Sequence, residues 1–264
     1  MNYLEVIILG IVQGITEFLP ISSSGHLIAI PELFGWEARG LAFDTMMHLA
    51  TFIAVVVVFW AEIRKMAVGM VTKKEKKYGQ LGWMVVAATI PVVVVGLWLG
   101  DFIDETIRTI DVVAWSLIVW GVVLGCADML SRMGGKKVKK DVAVGWKRSI
   151  YIGLAQVLAL IPGTSRSGVT MSVGLLAGLD RKTTARFSFL LSIPAVGGAA
   201  AYVMIKAASE GVDLFTLELM VGFVVSLISG ILAIRFLLKV IEKWSFIPFA
   251  VYRVLLGLVL LLFL

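Results

Sequence analysis

The residues of this chain best suited to chemistry lie in two polar segments that interrupt apolar sequence. The first break segment (residues 13–26) reads QGITEFLPISSSGH, and the second break segment (residues 156–168) reads QVLALIPGTSRSG. Each contains an apolar helical run, a proline and a turn of small residues, and Pro20 and Pro162 are 142 residues apart. Backbone breaks at membrane depth occur only where protein or a wet cavity satisfies the freed amides. Two breaks in matching places therefore predict one shared site.

The first break segment offers a carboxylate, hydroxyls and an imidazole. Gln13 and Glu17 are four residues apart, so a helix places both side chains on one face. A carboxylate inside a membrane segment is costly and is a functional candidate, with a helix–helix hydrogen bond as the plainer alternative. The turn that follows is predicted to be a phosphate-favouring helix N-terminus, and a serine N-cap alone would not explain its histidine. The turn consists of Ser22, Ser23, Ser24, Gly25 and His26.

The second break segment supplies a positive charge within a turn formed by Thr164, Ser165, Arg166, Ser167 and Gly168. An arginine at membrane depth must face a cavity or an anion. Its planar fork suits bidentate contact with phosphate oxygens, and the alternative is a structural salt bridge to Glu17. If the two segments meet, their carboxylate, imidazole, hydroxyls, helix starts and arginine suit phosphoryl chemistry, in which positioning and charge stabilisation dominate.

Four other ionisable residues in apolar sequence are open to plainer interpretations. His48 lies among apolar neighbours and is predicted to be packed and hydrogen-bonded. Arg253 lies in the last apolar run. Two interpretations are equally open for it: its side chain snorkels to the cytoplasmic face, or it has a functional role. Asp128 and Arg132 are four residues apart and are predicted to form a helix-surface pair.

The composition indicates an integral membrane protein. Of 264 residues, 59% are hydrophobic and 16% are charged, and the mean hydropathy is +0.97. The net charge of +6 does not indicate nucleic-acid binding, because 19 of the 24 Lys and Arg residues lie in short connections between apolar runs. Cytoplasmic loops of membrane proteins carry this excess of positive charge. These connections are residues 64–77, 132–148, 181–186 and 235–243.

The apolar runs predict an all-α membrane fold built as an inverted repeat of two halves. Each half would contain a re-entrant helical hairpin and three transmembrane helices, the plan of several transporter folds. The single membrane domain would comprise a first half (1–132), a cytoplasmic linker (133–148) and a second half (149–264). The hairpins are predicted at 1–35 and 149–179. The six spans are predicted near 41–62, 79–100, 110–132, 183–206, 215–238 and 246–264.

At these motifs the chain resembles the bacterial undecaprenyl-diphosphate phosphatase family, also called bacitracin-resistance proteins. The family's first signature, Glu or Gln followed four residues later by Glu and then by Phe-Leu-Pro and a Gly-His turn, matches Gln13 through His26. The second, Pro-Gly-x-Ser-Arg-Ser with a threonine shortly after, matches Pro162 through Thr170. The likeness continues at residues 187–191 and 245–253, so it covers nearly the whole chain.

The resemblance implies hydrolysis of undecaprenyl diphosphate to undecaprenyl phosphate and inorganic phosphate, which recycles the lipid carrier for cell-wall synthesis. It also implies a divalent cation, Mg²⁺ or Ca²⁺, with Glu17 as a metal ligand. Because Gln13 is a neutral amide, a site with two carboxylates is in doubt. The catalytic roles fall on Glu17, Ser23, His26 and Arg166, and the substrate-binding roles fall on Gln13, Ser22, Ser24, Gly25, Thr164, Ser165, Ser167 and Gly168.

Several alternatives remain at this stage. The nucleophile is Ser23, His26 or a metal-held water. A membrane acid phosphatase of the phosphatidate class would need a histidine six positions after the arginine, where this chain has Ser172. A transporter or lipid flippase with an inverted-repeat anion site is the other competitor. The expected location is the bacterial inner membrane, with the site facing the outer leaflet, membrane lipid around the chain, and a homodimer left open.

Overall fold

The computed structural model describes residues 2–37, 40–72, 74–133, 144–241 and 243–263. These residues form ten α-helices and no strand, which confirms the all-α prediction. The predicted linker at 133–148 lies largely outside the described residues. The helices are α1 (Tyr3–Phe18), α2 (Ser23–Phe34), α3 (Leu41–Val71), α4 (Lys76–Phe102), α5 (Ile110–Met133), α6 (Trp146–Gln156), α7 (Arg166–Leu176), α8 (Arg181–Ser209), α9 (Leu217–Val240) and α10 (Ile247–Phe263).

Five of the helices, α3, α4, α5, α8 and α9, are long and apolar enough to cross a membrane. They coincide with five of the six predicted spans, so the protein is a multi-pass membrane protein. The sixth predicted span corresponds to α10, a shorter apolar helix of 17 residues. At 1.5 Å per residue this helix is about 25 Å long.

The two break segments each divide a helical element into two short helices. α1 and α2 have 16 and 12 residues, and α6 and α7 have 11 each. At 1.5 Å per residue none exceeds about 24 Å, whereas the hydrocarbon core is about 30 Å thick. The helices within each pair contact one another, and a 3₁₀ turn (Val157–Leu160) follows α6. The prolines therefore mark real interruptions of the helices.

Each divided element packs on a long helix from the other half of the chain. α1 packs on α9 and α6 packs on α4, while α3 packs on α8 and α5 on α10. Small residues permit this close approach. A Cβ on Gly10 of α1 would lie 2.9 Å from the carbonyl oxygen of Gly222 on α9, and a Cβ on Gly153 of α6 would collide with the backbone of Ala88 on α4. An inverted repeat would produce this packing of helices from one half on helices from the other. The repeat itself stays a prediction.

An aromatic cluster supports the ends of the elements that carry the polar residues. The rings of Phe18 on α1 and Phe189 on α8 meet edge to face with centroids 5.8 Å apart, and Phe59 on α3 lies 6.0 Å from Phe189. All three side chains are buried. Since Phe18 follows Glu17 and Phe189 follows Ser188, this packing fixes the depth of both polar residues.

Candidate active site

The two break segments adopt the same backbone conformation, with equivalent residues 143 positions apart. Ser22 has φ 75° and ψ 99°, and Ser165 has φ 69° and ψ 109°. Positive φ is uncommon for a residue other than glycine, and such strained positions persist where surrounding structure enforces them. Each serine caps the helix that follows, because its Oγ accepts from the amide of Gly25 or Gly168. In this register Pro162 is equivalent to Leu19, so the two prolines are one position out of step.

The segments touch through a reciprocal pair of serine hydrogen bonds. Ser24 Oγ accepts from the amide of Gly163 at 3.3 Å. Ser167 Oγ, at the equivalent position, donates to the carbonyl of Leu19 at 3.0 Å. The meeting of the two segments, on which the predicted site depends, is therefore present in the structure.

Arg253 of α10 joins the two segments from behind. Its guanidinium is fully buried and donates to the carbonyls of Pro20 (3.2 Å), Gly163 (3.0 Å) and Thr164 (2.8 Å). It also approaches two carbonyls of α5 at 3.4 Å. A Cβ on Gly168 would lie 2.5 Å from Arg253 Nη1, which explains the glycine in the second motif. The snorkelling interpretation of Arg253 is wrong, because the side chain turns inward to backbone oxygens.

Glu17 is the centre of the polar network. Its Oε2 accepts from Ser23 Oγ at 2.8 Å and from Gln13 Nε2 at 3.3 Å, and its Oε1 accepts from Arg166 Nη2 at 3.1 Å. The carboxylate is buried. Burial of a glutamate at membrane depth is unfavourable by itself. Here the carboxylate is stabilised by two neutral donors from the first segment and one cation from the second.

Arg166 opens α7 and has two fixed partners. Besides Glu17, it donates Nη1 to the carbonyl of Ser188 on α8 at 3.1 Å. The salt bridge to Glu17 that the sequence offered as an alternative exists. Yet Arg166 also lines a cavity, and its buried Nε has no hydrogen-bond partner among the described residues. Arg166 can therefore keep its ion pair with Glu17 through Nη2 and still contact an anion through Nε.

A cavity of about 430 Å³ lies over this network. Seven residues of the predicted site line it: Gln13, Glu17, Ser22, Ser23, Ser24, Ser165 and Arg166. The remaining five, Gly25, His26, Thr164, Ser167 and Gly168, are buried and do not line it. They lie at the contact between the segments, where they position the lining residues rather than face a ligand.

His26 is turned away from the cavity. Its Nδ1 lies 2.7 Å from the carbonyl oxygen of Ser22, which can only accept, so Nδ1 carries a proton. In the neutral ring, Nε2 then accepts from the hydroxyl of Tyr252 at 2.7 Å. The two rings are stacked, with an interplanar angle of 8°. Both nitrogens are thus engaged, and neither is directed at Ser23.

Sequence reasoning missed five polar residues of the cavity wall. Asp44 and His48 lie one turn apart on α3, and Arg108 forms an ion pair with Asp44 at 3.4 Å. His48 donates Nδ1 to the Asp44 carbonyl at 2.8 Å, as the hydrogen-bonded interpretation predicted, but its ring also lines the cavity. Thr45, on the same helix, and Gln156 complete the five. The four-residue spacing of Asp44 and His48, and the 143-residue offset of Gln156 from Gln13, were the available signals.

Asp128 differs from its prediction. Its ion pair with Arg132 is present at 3.4 Å, but Asp128 is fully buried rather than at the surface. It also pairs with Arg181, at the start of α8. The carboxylate therefore ties α5 to α8 away from the cavity.

The donor atoms fit a divalent cation only in part. Within the described ranges, no group of three or more His, Cys, Asp or Glu side chains could hold a metal ion. The buried Oε1 of Gln13, however, has no hydrogen-bond partner among the described residues, and Nε2 of the same amide donates to Glu17. One carboxylate and one amide oxygen suit Mg²⁺ or Ca²⁺ when phosphate oxygens complete the coordination.

The fold and the cavity define a multi-pass helical membrane protein whose polar site is assembled from two interrupted helices. The chain belongs to the bacitracin resistance protein BacA family, whose model matches residues 6–259. The resemblance inferred from the two motifs is therefore confirmed.

Curated relatives are similar to this chain over its length. It is 45% identical over 269 residues to the undecaprenyl-diphosphatase of Alteromonas mediterranea, with 100% of this chain and 99% of the relative aligned. It is 42% identical over 274 residues to undecaprenyl-diphosphatase 1 of Pseudoalteromonas translucida (100% and 99% aligned). It is 40% identical over 266 residues to the undecaprenyl-diphosphatase of Idiomarina loihiensis (99% of each).

Proposed function

We propose that this protein hydrolyses undecaprenyl diphosphate to undecaprenyl phosphate and inorganic phosphate, so recycling the lipid carrier used in cell-wall synthesis. The observation that carries the proposal is the contact of Glu17 with both Ser23 and Arg166 in one cavity. That arrangement joins a hydroxyl, a carboxylate and a cation, as phosphoryl transfer requires. The names of the relatives supply the substrate, and they give no support to a transporter or flippase.

The cavity accommodates the two chemically different parts of such a substrate. The diphosphate would lie at the polar end, where Arg166 Nε has no partner in the described part of the chain and where the N-termini of α2 and α7 favour anions. The isoprenoid would pass along an apolar wall contributed by α8. That wall is formed by Ala195, Val196, Ala199 and Val203.

We propose Ser23 as the nucleophile and Glu17 as its base, and the hydrogen bond between them supports these roles. Ser23 Oγ bonds to the terminal phosphorus, its proton passes to Glu17 Oε2, and the bond from that phosphorus to the bridging oxygen breaks. Undecaprenyl phosphate leaves, and water then hydrolyses the phosphoserine. Arg166 and the two helix starts stabilise the charge that develops on the phosphoryl oxygens. His26 holds the carbonyl of Ser22 and is a positioning residue.

Glu17 and Gln13 Oε1 would hold Mg²⁺ or Ca²⁺ together with the substrate. When bound, such an ion neutralises charge on the phosphoryl oxygens. We place the protein in the bacterial inner membrane, with the cavity open to the outer leaflet. The support is the basic connections, which put the start of α1 on the opposite face from the cytoplasm. A homodimer stays a prediction.

The test is release of inorganic phosphate from the lipid diphosphate by purified protein in detergent, where transport cannot register. Arg166→Ala should lower the rate about 100-fold or more, because it removes a preorganised charge at the phosphoryl group. Arg235→Ala is the matched control, since Arg235 is exposed on α9 and does not line the cavity. A chelator should also lower the wild-type rate. No phosphate release by the wild type, or full activity in Arg166→Ala, would refute the proposal.

A further inference from the structure

Gln156 is a buried amide for which the described structure provides no partner. It is the last residue of α6, its side chain is fully buried, and it lines the cavity. Neither Nε2 nor Oε1 has a hydrogen-bond partner among the described residues. Burying an amide without partners is unfavourable, so native proteins rarely do it without a role for the group.

The equivalence of the two break segments explains why this amide has no partner among the described residues. Gln156 is equivalent to Gln13, which donates Nε2 to Glu17 one turn later. The residue equivalent to Glu17 in the second segment is Leu160, so Gln156 has no internal acceptor. Gly153, three residues before Gln156, allows α6 to pack close against Ala88 on α4. The amide is therefore held at the cavity wall with both of its polar atoms buried and unpaired within the described ranges.

Helix–helix hydrogen bonding, the usual role of an amide in a membrane helix, does not account for Gln156, because such a bond would need a partner on another described helix. Three other described residues, Thr164, Thr184 and Ser226, also bury a hydroxyl that has no partner within the described ranges, and none of them lines the cavity. Gln156 instead shares the cavity with Arg166, whose buried Nε is also without a partner. The unpaired donors of the two side chains thus belong to one ligand site.

We propose that Gln156 is a phosphoryl-binding residue of this site. Its Nε2 donates to an oxygen of the terminal phosphoryl group, and its Oε1 accepts from the water that hydrolyses the phosphoserine. The inference rests on the proposed function and adds a residue to it. A neutral amide can donate and accept at once without repelling a phosphate, and a glutamine orients the attacking water in GTPases.

The second half-reaction balances with these groups. The water oxygen bonds to phosphorus and the bond from phosphorus to Ser23 Oγ breaks. Ser23 recovers the proton held by Glu17. The hydroxyl of the water leaves as part of inorganic phosphate, and its other proton is released to solvent. Gln156 takes up no proton; it sets the direction of the water.

The experiment compares Gln156→Leu, which removes both polar atoms at similar volume, with Gln156→Glu, which replaces the donor with a charge. Thr184→Val is the matched control, because it removes an unpartnered buried hydroxyl outside the cavity. Three quantities are measured for each variant: kcat and KM for the lipid diphosphate, the inhibition constant of orthovanadate, and the thermal midpoint with and without inorganic phosphate.

Gln156→Leu should lose about 10- to 100-fold in kcat/KM, the effect of one hydrogen bond to a charged group. Orthovanadate inhibition should weaken in parallel, because orthovanadate occupies the phosphoryl site without the lipid tail. Gln156→Glu should lose more, since a carboxylate would repel the phosphate. Thr184→Val should match the wild type in all three quantities.

Wild-type turnover and wild-type orthovanadate inhibition in Gln156→Leu would overturn the proposal and leave the glutamine a packing role. If Gln156→Leu does not fold, turnover and orthovanadate inhibition are measured for Gln156→Asn instead, and wild-type values of both would overturn the proposal. If the wild type releases no phosphate from the lipid, the proposed function fails. Heat protection by inorganic phosphate that is present in wild type and lost in Gln156→Leu would then still support Gln156, and no protection in wild type would refute both.

Discussion

Arg166 on α7 donates its Nη2 to Oε1 of Glu17 on α1 at 3.1 Å, although 149 residues separate them. Both side chains are largely buried. Each charge therefore depends on the other, and removal of either leaves a buried charge without its partner. The pair also carries the proposed chemistry, because the same carboxylate accepts from Ser23. Stability and activity consequently share one contact between the two break segments.

Glu17→Gln should impair both properties. The amide cannot take the proton of Ser23, so we expect kcat to fall about 100-fold or more. It also leaves Arg166 buried without a counter-charge, a loss of up to about 3–5 kcal/mol in a dry site. Phosphate release and the thermal midpoint in detergent measure the two effects. Glu62→Gln is the control: Glu62 pairs with Arg186 but does not line the cavity. Equal rates in both variants would contradict the assignment of Glu17.

Ser23→Ala tests the nucleophile. Without Oγ no phosphoserine can form, so we expect turnover to fall about 1,000-fold or more, as when nucleophiles are removed from other enzymes. Labelled phosphate from the lipid diphosphate should also cease to be trapped on the acid-quenched protein. Ser192→Ala is a fair comparison, because Ser192 is a buried serine of α8 outside the cavity. Full turnover in Ser23→Ala would replace the serine route with direct attack by water.

Gln13→Glu tests the cation. A second carboxylate beside Glu17 raises the charge of the oxygen donors, and divalent cations bind more tightly as that charge grows. We expect the Mg²⁺ concentration for half-maximal phosphate release to fall, and the variant to resist more chelator than wild type. Asp44→Asn, which changes a carboxylate elsewhere in the same cavity, distinguishes a local from a general electrostatic effect. An unchanged Mg²⁺ requirement in Gln13→Glu would exclude Gln13 from the cation site.

The sequence predicted the helices, the two breaks and their meeting because those features follow from local patterns. An apolar run of sufficient length predicts a span, and a proline followed by small polar residues predicts an interruption. The cost of an isolated charge at membrane depth indicated that Arg166 faces a cavity or an anion, with the salt bridge to Glu17 only as the alternative. The exact register could not be read from the prolines, which are 142 residues apart, whereas Ser22 and Ser165, which hold the equivalent backbone conformation, are 143 apart.

Side-chain directions could not be predicted, because they depend on contacts between distant helices. His26 follows the serines directly, yet its ring turns to Tyr252 on α10. Arg253 pairs with no carboxylate in the described part of the chain, and only the folded chain places the carbonyls of Pro20 and Gly163 around it. Gln156 was visible as the start of the second segment, but its lack of partners is a property of the packed structure.

Arg253 and Gly168 should be coupled. Gly168→Ala places a methyl group against Arg253 Nη1, and Arg253→Lys removes the planar fork that reaches both segments. Each single variant should lower the thermal midpoint and the rate of phosphate release. The double variant should lose less than the sum of the two, since the slimmer lysine leaves room for the methyl group; contacting residues commonly couple by about 0.5–3 kcal/mol. Strict additivity would show that Arg253 does not occupy the space beside Gly168.

Tyr252→Phe separates the two roles considered for His26. The phenylalanine keeps the stacked ring but removes the hydroxyl that engages Nε2. A positioning histidine loses one hydrogen bond of about 0.5–1.5 kcal/mol, so the rate should fall less than about tenfold. The acid limb of the pH–rate profile should stay in place, because Glu17 rather than His26 accepts the proton of Ser23. Tyr202→Phe, at an exposed position on α8, controls for loss of a tyrosine hydroxyl. A displaced acid limb in Tyr252→Phe alone would identify His26 as the base, because only a titrating ring would respond to the loss of its hydrogen-bond partner.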